Sequence, residues 1–377
     1  MKVGVPTEIK ADEYRVALTP IGVRELVEHG HEAVIQSGAG NGSAITDDAF
    51  AAQGAQIVPD AESVFAEAEL ILKVKEPQRA EVGFLQPRHV LFTYLHLAAD
   101  PELARLLRES RATCIAYETV EDRNGRLPLL APMSEIAGKI ATQAGAFMLE
   151  KPLGGRGILL GGVPGVPAAT VMIIGGGVVG MNAAFIAIGM EADVFVFDTS
   201  IDRLRDLDIA LNGRCSTVHS STLAIEEMLP RADLVIGAVL IHGARAPRVI
   251  KREQLSLMKP AAVLVDVSID QGGCFETSRP TTHSNPTYEV DGVIHYCVTN
   301  MPGAVPVTST YALTNATLPY VLELADHGVR EAAARDPGLR LGINVAAGRI
   351  TNPAVAASLA MPLAPVDEVL EAPAAAA

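Results

Sequence analysis

Cysteine is scarce in this chain. The 377 residues hold four, Cys114, Cys215, Cys274 and Cys297, widely spaced and with no C-x-x-C. That excludes a disulfide scaffold and a structural zinc site, and we read all four as ordinary thiols of a reducing compartment. Positive charge is also in deficit: 30 Lys and Arg face 44 Asp and Glu, for a formal charge of -14. Such a balance repels phosphate backbones and anionic lipid surfaces, which argues against nucleic acid or membrane as a general partner. It says nothing against a small anion held by one or two well-placed cations. A secretory signal is lacking too, because Lys2, Glu8, Lys10, Asp12, Glu13 and Arg15 interrupt the opening segment, and a cytoplasmic protein is expected. Charged residues make up only 20% of the chain against 49% hydrophobic. That is apolar surface enough to offset the entropy of ordering and to exclude disorder as the main state. The length suits two or three domains.

The longest stretch without Asp, Glu, Lys or Arg, residues 157 to 190, exceeds the roughly 20 residues a membrane span needs. Pro164, Pro167 and many glycines interrupt it, so it reads instead as a buried strand followed by a buried helix.

Up to residue 128 short β-branched runs alternate with helical patterns. Strands are expected at Val3 to Val5, Ala33 to Ile35, Gln56 to Val58, Leu70 to Val74, Val90 to Tyr94 and Thr113 to Tyr117. The first helix has Thr19 as its cap, Pro20 in its first position, Val23, Leu26 and Val27 on one face, and Gly30 as its stop. A longer helix is expected from Ser134, as cap, to about Lys151. The βα rhythm then restarts at Thr170 to Ile174, Asp193 to Phe197, Leu234 to Ala238, Val263 to Val267 and Ile294 to Val298, and returns to helix from about Thr308. The expected fold is α/β, two Rossmann-like domains with parallel sheets. The first is discontinuous (1–128 and 307–377, for substrate) and the second, 129–306, is for a dinucleotide.

The dinucleotide assignment rests on VMIIGGGVVGMNAA, where Gly175, Gly177 and Gly180 form G-x-G-x-x-G between a strand and a helix. The first glycine permits the tight turn, the second lets backbone approach a pyrophosphate, and the third lets helix pack on strand. The helix N-terminus, with Val178 and Val179, adds partial positive charge. Asp198 ends the following strand, where a carboxylate accepts hydrogen bonds from ribose and repels a 2′-phosphate, selecting NAD over NADP. The bland alternative is an ordinary βα unit with a capping Asp.

Arg15, Lys75 and His96 each follow an expected strand of the first domain. Ligands of open parallel sheets bind outside the carboxyl ends of strands, so residues distant in sequence can converge there. An Arg fork and a Lys point charge suit a carboxylate, and a neutral His suits proton transfer near pH 7. Taken singly, each reads more readily as a solvated cation or a structural His, and the shared strand-end position is what shifts the balance. Asp270, in VSIDQGG, orients water or an amine, or else forms an Asx-turn before Gly272. Asn300 and Met301 line a nicotinamide pocket or merely turn the chain. Glu323 and His327, four apart on a helix, suit a shared metal or a plain surface pair.

The segments MKVGVPTEIKADEYRVALTP, LILKVKEP, LFTYLHLAAD, APMSEIAGK, GGGVVG and VDVSIDQGGCFETSRPTTHSNPTY together resemble the NAD-dependent L-alanine dehydrogenases, of the alanine dehydrogenase/transhydrogenase alpha-subunit family. The resemblance runs to about residue 360. It implies reversible conversion of L-alanine, NAD and water into pyruvate, ammonium and NADH by a homo-hexamer. It further implies that Arg15 and Lys75 bind the substrate carboxylate and that His96 and Asp270 are the acid/base pair. Ser134, Asp198, Arg203, Ser220, Val239, Leu240, Ile269, Asn300 and Met301 would contact NAD. It also raises the possibility of Mg2+ at Glu323 and His327. The runner-up is the soluble NAD-binding part of a proton-translocating transhydrogenase, and a third reading is a non-catalytic NAD-binding regulator.

Overall fold

The structure, a computed structural model, describes residues 1–239 and 246–371. The chain forms two compact units, one from Met1–Met133 together with the chain from Val305 onward, the other Ser134–Ala304. The first unit opens with β1 (Lys2–Val5), β2 (Glu32–Gln36), β3 (Gln56–Val58), β4 (Leu70–Leu72), β5 (Val90–Thr93) and β6 (Thr113–Ala116). The second carries β7 (Thr170–Ile174), β8 (Asp193–Asp198), β9 (Ser216–His219), β10 (Leu234–Gly237), β11 (Val263–Asp266), β12 (Thr287–Val290) and β13 (Val293–Tyr296). After re-entering the first unit the chain adds β14 (Ile343–Ala346) and β15 (Arg349–Ile350).

The first sheet has the order β15-β14-β6-β5-β4-β1-β2-β3, and its strands from β3 to β6 pair in parallel. These strands read as uninterrupted apolar runs because both faces are covered: Leu70, Ile71 and Leu72 are all fully buried. The second sheet has the order β12-β13-β11-β10-β7-β8-β9. In each sheet the chain starts in the middle, builds outward to one side, then crosses over and builds to the other. The place where that direction reverses is a topological switch point, and it lies between β1 and β4 in one sheet and between β7 and β10 in the other.

Both sheets are mostly parallel, as expected from the sequence, with antiparallel strands at their edges. β14 and β15 run antiparallel at one edge of the first, and β12 runs antiparallel to β13 at the edge of the second. The reason is local. Asp291 and Gly292 both take positive φ (50° and 79°), the backbone of a two-residue hairpin turn, and Ala347 and Gly348 do the same (45° and 81°).

The first helix, Pro20–Glu28, has Thr19 as its cap as expected, and Gly22, Val23 and Leu26 face the core. Val27 does not join them and is 40% exposed. The long helix starts at Ala131, earlier than expected, because Pro132 occupies its first turn, where the missing N–H costs nothing. Ser134 therefore lies inside that turn and is not the cap. The uncharged stretch contains β7 and the helix Val178–Gly189, and no helix among the described residues is long and apolar enough to cross a membrane.

Candidate functional site

At the switch point of the first sheet, the segment after β1 carries Glu8, Glu13 and Arg15, and the segments after β4 and β5 carry Lys75 and His96. Strand order thus brings to one end of one sheet three segments that are far apart in sequence. The foundation is ionic. Lys73, fully buried, lies 3.1 Å from Glu8 and 2.7 Å from Glu81. Burial alone would push its ammonium down, and the two carboxylates more than reverse that. Glu8 in turn accepts the backbone N–H of Val74 at 2.6 Å and of Lys75 at 3.4 Å, which ties the segment bearing Lys75 to the segment leaving β1.

Arg15 is buried, and Glu13 accepts from its Nε at 2.6 Å and its Nη2 at 2.5 Å, while Nη1 lies 3.0 Å from the sulfur of Met133. One edge of the fork is thus held by Glu13, which fixes the plane of the guanidinium. Beside it opens a cavity of about 310 Å³ walled by Glu8, Lys10, Glu13 and Arg15 among others. A larger opening, about 490 Å³, is a surface basin in the second unit between Arg252, Glu253, Ser256, Glu276 and Asp291, and contains no residue that the sequence singled out.

His96 adopts left-handed backbone (φ 51°), and its ring stacks on Tyr94 with centroids 5.8 Å apart and planes 4° from parallel. Tyr94 is anchored by a 2.6 Å hydrogen bond from its hydroxyl to the carbonyl of Leu129, and burial pushes its phenol up, so that it stays neutral. The imidazole of His96 is pushed down to about 3, first by desolvation and then by the cations Lys75, Lys10 and Arg15. Because 42% of the His96 side chain still meets solvent, the cations are the durable part of that shift. Sequence reasoning missed both Lys73, although a lysine inside the apolar run LILKVK was a signal, and Glu118, which lies directly after an expected strand and accepts the N–H of His96.

In the second unit the glycine turn fits a dinucleotide. Gly175 has φ 103°, and a Cβ there would sit 2.4 Å from the carbonyl oxygen of Ala238. At Gly180 a Cβ would meet the oxygen of Gly175 at 1.8 Å, whereas at Gly177 it would meet nothing within 4 Å. The outer glycines are thus required by the protein's own packing. Gly177 leaves space in front of the helix Val178–Gly189, whose N-terminus has no side-chain cap. Asp198, at the end of β8, accepts the N–H of Gly176 and of Ser200, each at 2.8 Å. Arg203 grips the turn from its Nε to the carbonyl of Gly176 at 2.5 Å, and the N–H of Ser220 bonds the carbonyl of Asp198 at 2.9 Å.

Val239 directly follows the segment that ends β10. Its carbonyl accepts the hydroxyl of Ser268 at 2.7 Å, which ties it to the turn Val267–Gln271 that contains Ile269 and an exposed Asp270. Leu240 lies outside the described residues. Sequence reasoning missed Asp266, which organises this loop: fully buried, it accepts the N–H of Ser268 at 3.0 Å and of Cys274 at 2.8 Å, and the hydroxyl of Ser278. Asn300 has φ 59°, its carbonyl lies 3.2 Å from His283 Nε2, and Met301 beside it is buried.

The metal expectation finds no support. His327 Nε2 lies 3.8 Å from Glu323, its Nδ1 lies 3.8 Å from Glu331, and Arg335 Nε reaches Glu323 at 2.8 Å. The carboxylate a metal would need is engaged by a guanidinium. Among the described residues no group of three or more His, Cys, Asp or Glu is arranged to hold an ion, so Mg2+ at this pair has no support. The helix breaks at Gly328 (φ 72°), immediately after His327.

Comparison with known proteins places this geometry. Family models described as the alanine dehydrogenase/PNT N-terminal and C-terminal domains match residues 4–137 and 141–353. An alanine dehydrogenase of Halomonas elongata is 59% identical over 94% of this chain and 96% of its own length. That of Mycobacterium tuberculosis is 55% identical over 98% of this chain and 100% of its own. Among solved structures, an L-alanine dehydrogenase superposes with a TM-score of 0.92 at 49% identity, covering 96% of this chain and 99% of that one. A transhydrogenase from Sinorhizobium meliloti, 23% identical with a TM-score of 0.81 over 94% and 100% of the two chains, shares the fold. With both of its units matched in order and its relatives covered nearly end to end, this chain belongs to the alanine dehydrogenase/PNT family.

Proposed function

We infer that this protein is an NAD-dependent L-alanine dehydrogenase, catalysing the reversible oxidative deamination of L-alanine to pyruvate and ammonium. One observation carries the reading: Arg15, Lys75 and His96 stand together at the switch point of the first sheet, in a chain that is 55–59% identical to alanine dehydrogenases over nearly its whole length. The first unit takes the amino acid, with Arg15 and Lys75 on its carboxylate. A planar fork and a point charge together set both the position and the tilt of the anion. His96 takes or returns the proton in the reacting centre, and Asp270 is its acid/base partner.

The second unit takes NAD at Gly175, Gly177, Val178, Val179 and Gly180. The helix N-terminus would hold the pyrophosphate and Asp198 the adenosine ribose, and by the family resemblance Ser134, Arg203, Ser220, Val239, Leu240, Ile269, Asn300 and Met301 would contribute the remaining contacts. When bound, NAD supplies the hydride acceptor for the alanine Cα, leaving an iminium that water hydrolyses. The transhydrogenase reading is the weaker one, since its structural relative is only 23% identical. We propose a cytoplasmic homo-hexamer, as the resemblance to the alanine dehydrogenases implies.

Purified protein mixed with L-alanine and NAD at alkaline pH is expected to generate NADH absorbance. No signal with alanine, serine or glycine would end the reading. A second expectation concerns cofactor choice. Asp198→Asn keeps an oxygen for the N–H of Gly176 but removes the charge. It sacrifices a charge-assisted hydrogen bond to ribose, about 1.5–3 kcal/mol, and the repulsion of a 2′-phosphate. The ratio of kcat/KM for NAD over NADP should fall by about tenfold or more; an unchanged ratio would show that ribose is read elsewhere.

A further inference from the structure

His96 is held in an unfavourable conformation, and one side chain holds it there. Its backbone lies in the left-handed region (φ 51°, ψ 32°), which a residue with a Cβ occupies only when its surroundings enforce it. Glu118 sits in the turn Tyr117–Thr119 that follows β6, the parallel neighbour of β5. Its side chain is only 16% exposed. Oε1 of Glu118 accepts the N–H of His96 at 2.6 Å, and both carboxylate oxygens lie 3.2 Å from the N–H of Leu95. The same Oε1 is 3.9 Å from Nδ1 of the imidazole, an ion-pair distance once the ring is protonated. After desolvation, the charges that lower the ring are the cations Lys75, Lys10 and Arg15, and its face stacks on neutral Tyr94.

We propose that Glu118 is a positioning residue for the acid/base step: it clamps the left-handed backbone of His96 and faces Nδ1, so that Nε2 is the nitrogen offered to the reacting amine or water. The proposal rests on the assignment of His96 as acid and base. In the oxidative direction Nε2 gains the substrate proton, Nδ1 keeps its own, and the imidazolium is balanced by a carboxylate that is never itself protonated in the step.

Glu118→Gln is nearly isosteric and retains an oxygen for the N–H of His96. It is expected to lower kcat for alanine oxidation by about tenfold or more, while KM for alanine and the affinity for NADH stay close to wild type. Removal of the negative charge beside Nδ1 lowers the pKa of the ring, so the acidic limb of the pH profile moves to lower pH. Glu118→Asp should restore part of the rate, and Glu118→Ala should lose more. A Glu118→Gln enzyme with wild-type kcat and an unmoved limb overturns the proposal, and so does a loss that appears only in KM or only in melting temperature. A wild-type protein that leaves alanine unoxidised would sink the activity instead, which separates the two failures.

Discussion

Replacing His96 by Asn is expected to cut alanine oxidation by about 10² to 10⁴ while leaving NADH binding intact. Asn is the informative choice because the position is left-handed (φ 51°), a conformation Asn tolerates far better than Ala. His96→Ala would mix the loss of the imidazole with backbone strain. NADH binding is expected to survive because its glycine turn is built wholly within the second unit, from Gly175, Gly176, Asp198 and Arg203. The pH dependence carries a sign that follows from the charges. In the free protein the imidazole is pushed down to about 3, by desolvation and then by Lys75, Lys10 and Arg15. A substrate carboxylate seated on Lys75 and Arg15 cancels much of that positive field, and the pKa rises on binding. The base must be neutral to accept a proton, so activity falls as the pH drops through its pKa. The acidic limb of kcat should therefore lie at higher pH than that of kcat/KM, which reports the free enzyme. Steady-state rates across pH for wild type and His96→Asn test both points. An Asn variant at the wild-type rate, or one that keeps the same acidic limb, would remove His96 from the chemistry.

Gly180→Ala is expected to abolish tight NAD binding, and Gly177→Ala to weaken it by a different route. At Gly180 the new methyl would lie 1.8 Å from the carbonyl oxygen of Gly175, so the helix Val178–Gly189 must lift away from the turn. Overpacking of this kind costs about 1–3 kcal/mol in stability. The same displacement misaligns the N–H groups that would meet a pyrophosphate. At Gly177 a methyl meets nothing within 4 Å, so the fold should be untouched and the space in front of the helix filled. NADH fluorescence titration beside a thermal melt separates the two: both variants lose affinity, but only Gly180→Ala loses melting temperature. If Gly177→Ala binds NADH as tightly as wild type, the pyrophosphate does not approach the backbone there.

Features set by nearest neighbours were open to a reading of the sequence. Thr19 and Pro20 mark a helix start whatever surrounds them, and three glycines between an apolar strand and a helix mark the turn. The D-G hairpin at Asp291 and Gly292 was equally local, a two-residue turn between strand-forming runs, but it was not read from the sequence. The cap expected at Ser134 failed because Pro132, only two residues earlier, starts the helix sooner.

Other features depended on distant parts of the chain. Lys73 was not singled out from the sequence, nor was its neutralisation by Glu8 and Glu81 from either side of it in sequence. Asp270 was singled out, while Asp266, four residues before it and the organiser of the loop, was not. Glu323 also pairs with Arg335, twelve residues on and beyond the break at Gly328, a contact that i,i+4 spacing alone did not reveal.

By itself the sequence determined the α/β rhythm, the dinucleotide turn and the strand-end positions of Arg15, Lys75 and His96, because periodicity, capping and turn chemistry act within a few residues. The tertiary structure decided that β1, β4 and β5 are neighbours, that Glu13 fixes the plane of Arg15, and that Glu118 from the turn after β6 holds His96. Strand order and buried charge pairing join groups tens of residues apart, and their energies exist only once water has been excluded from between them.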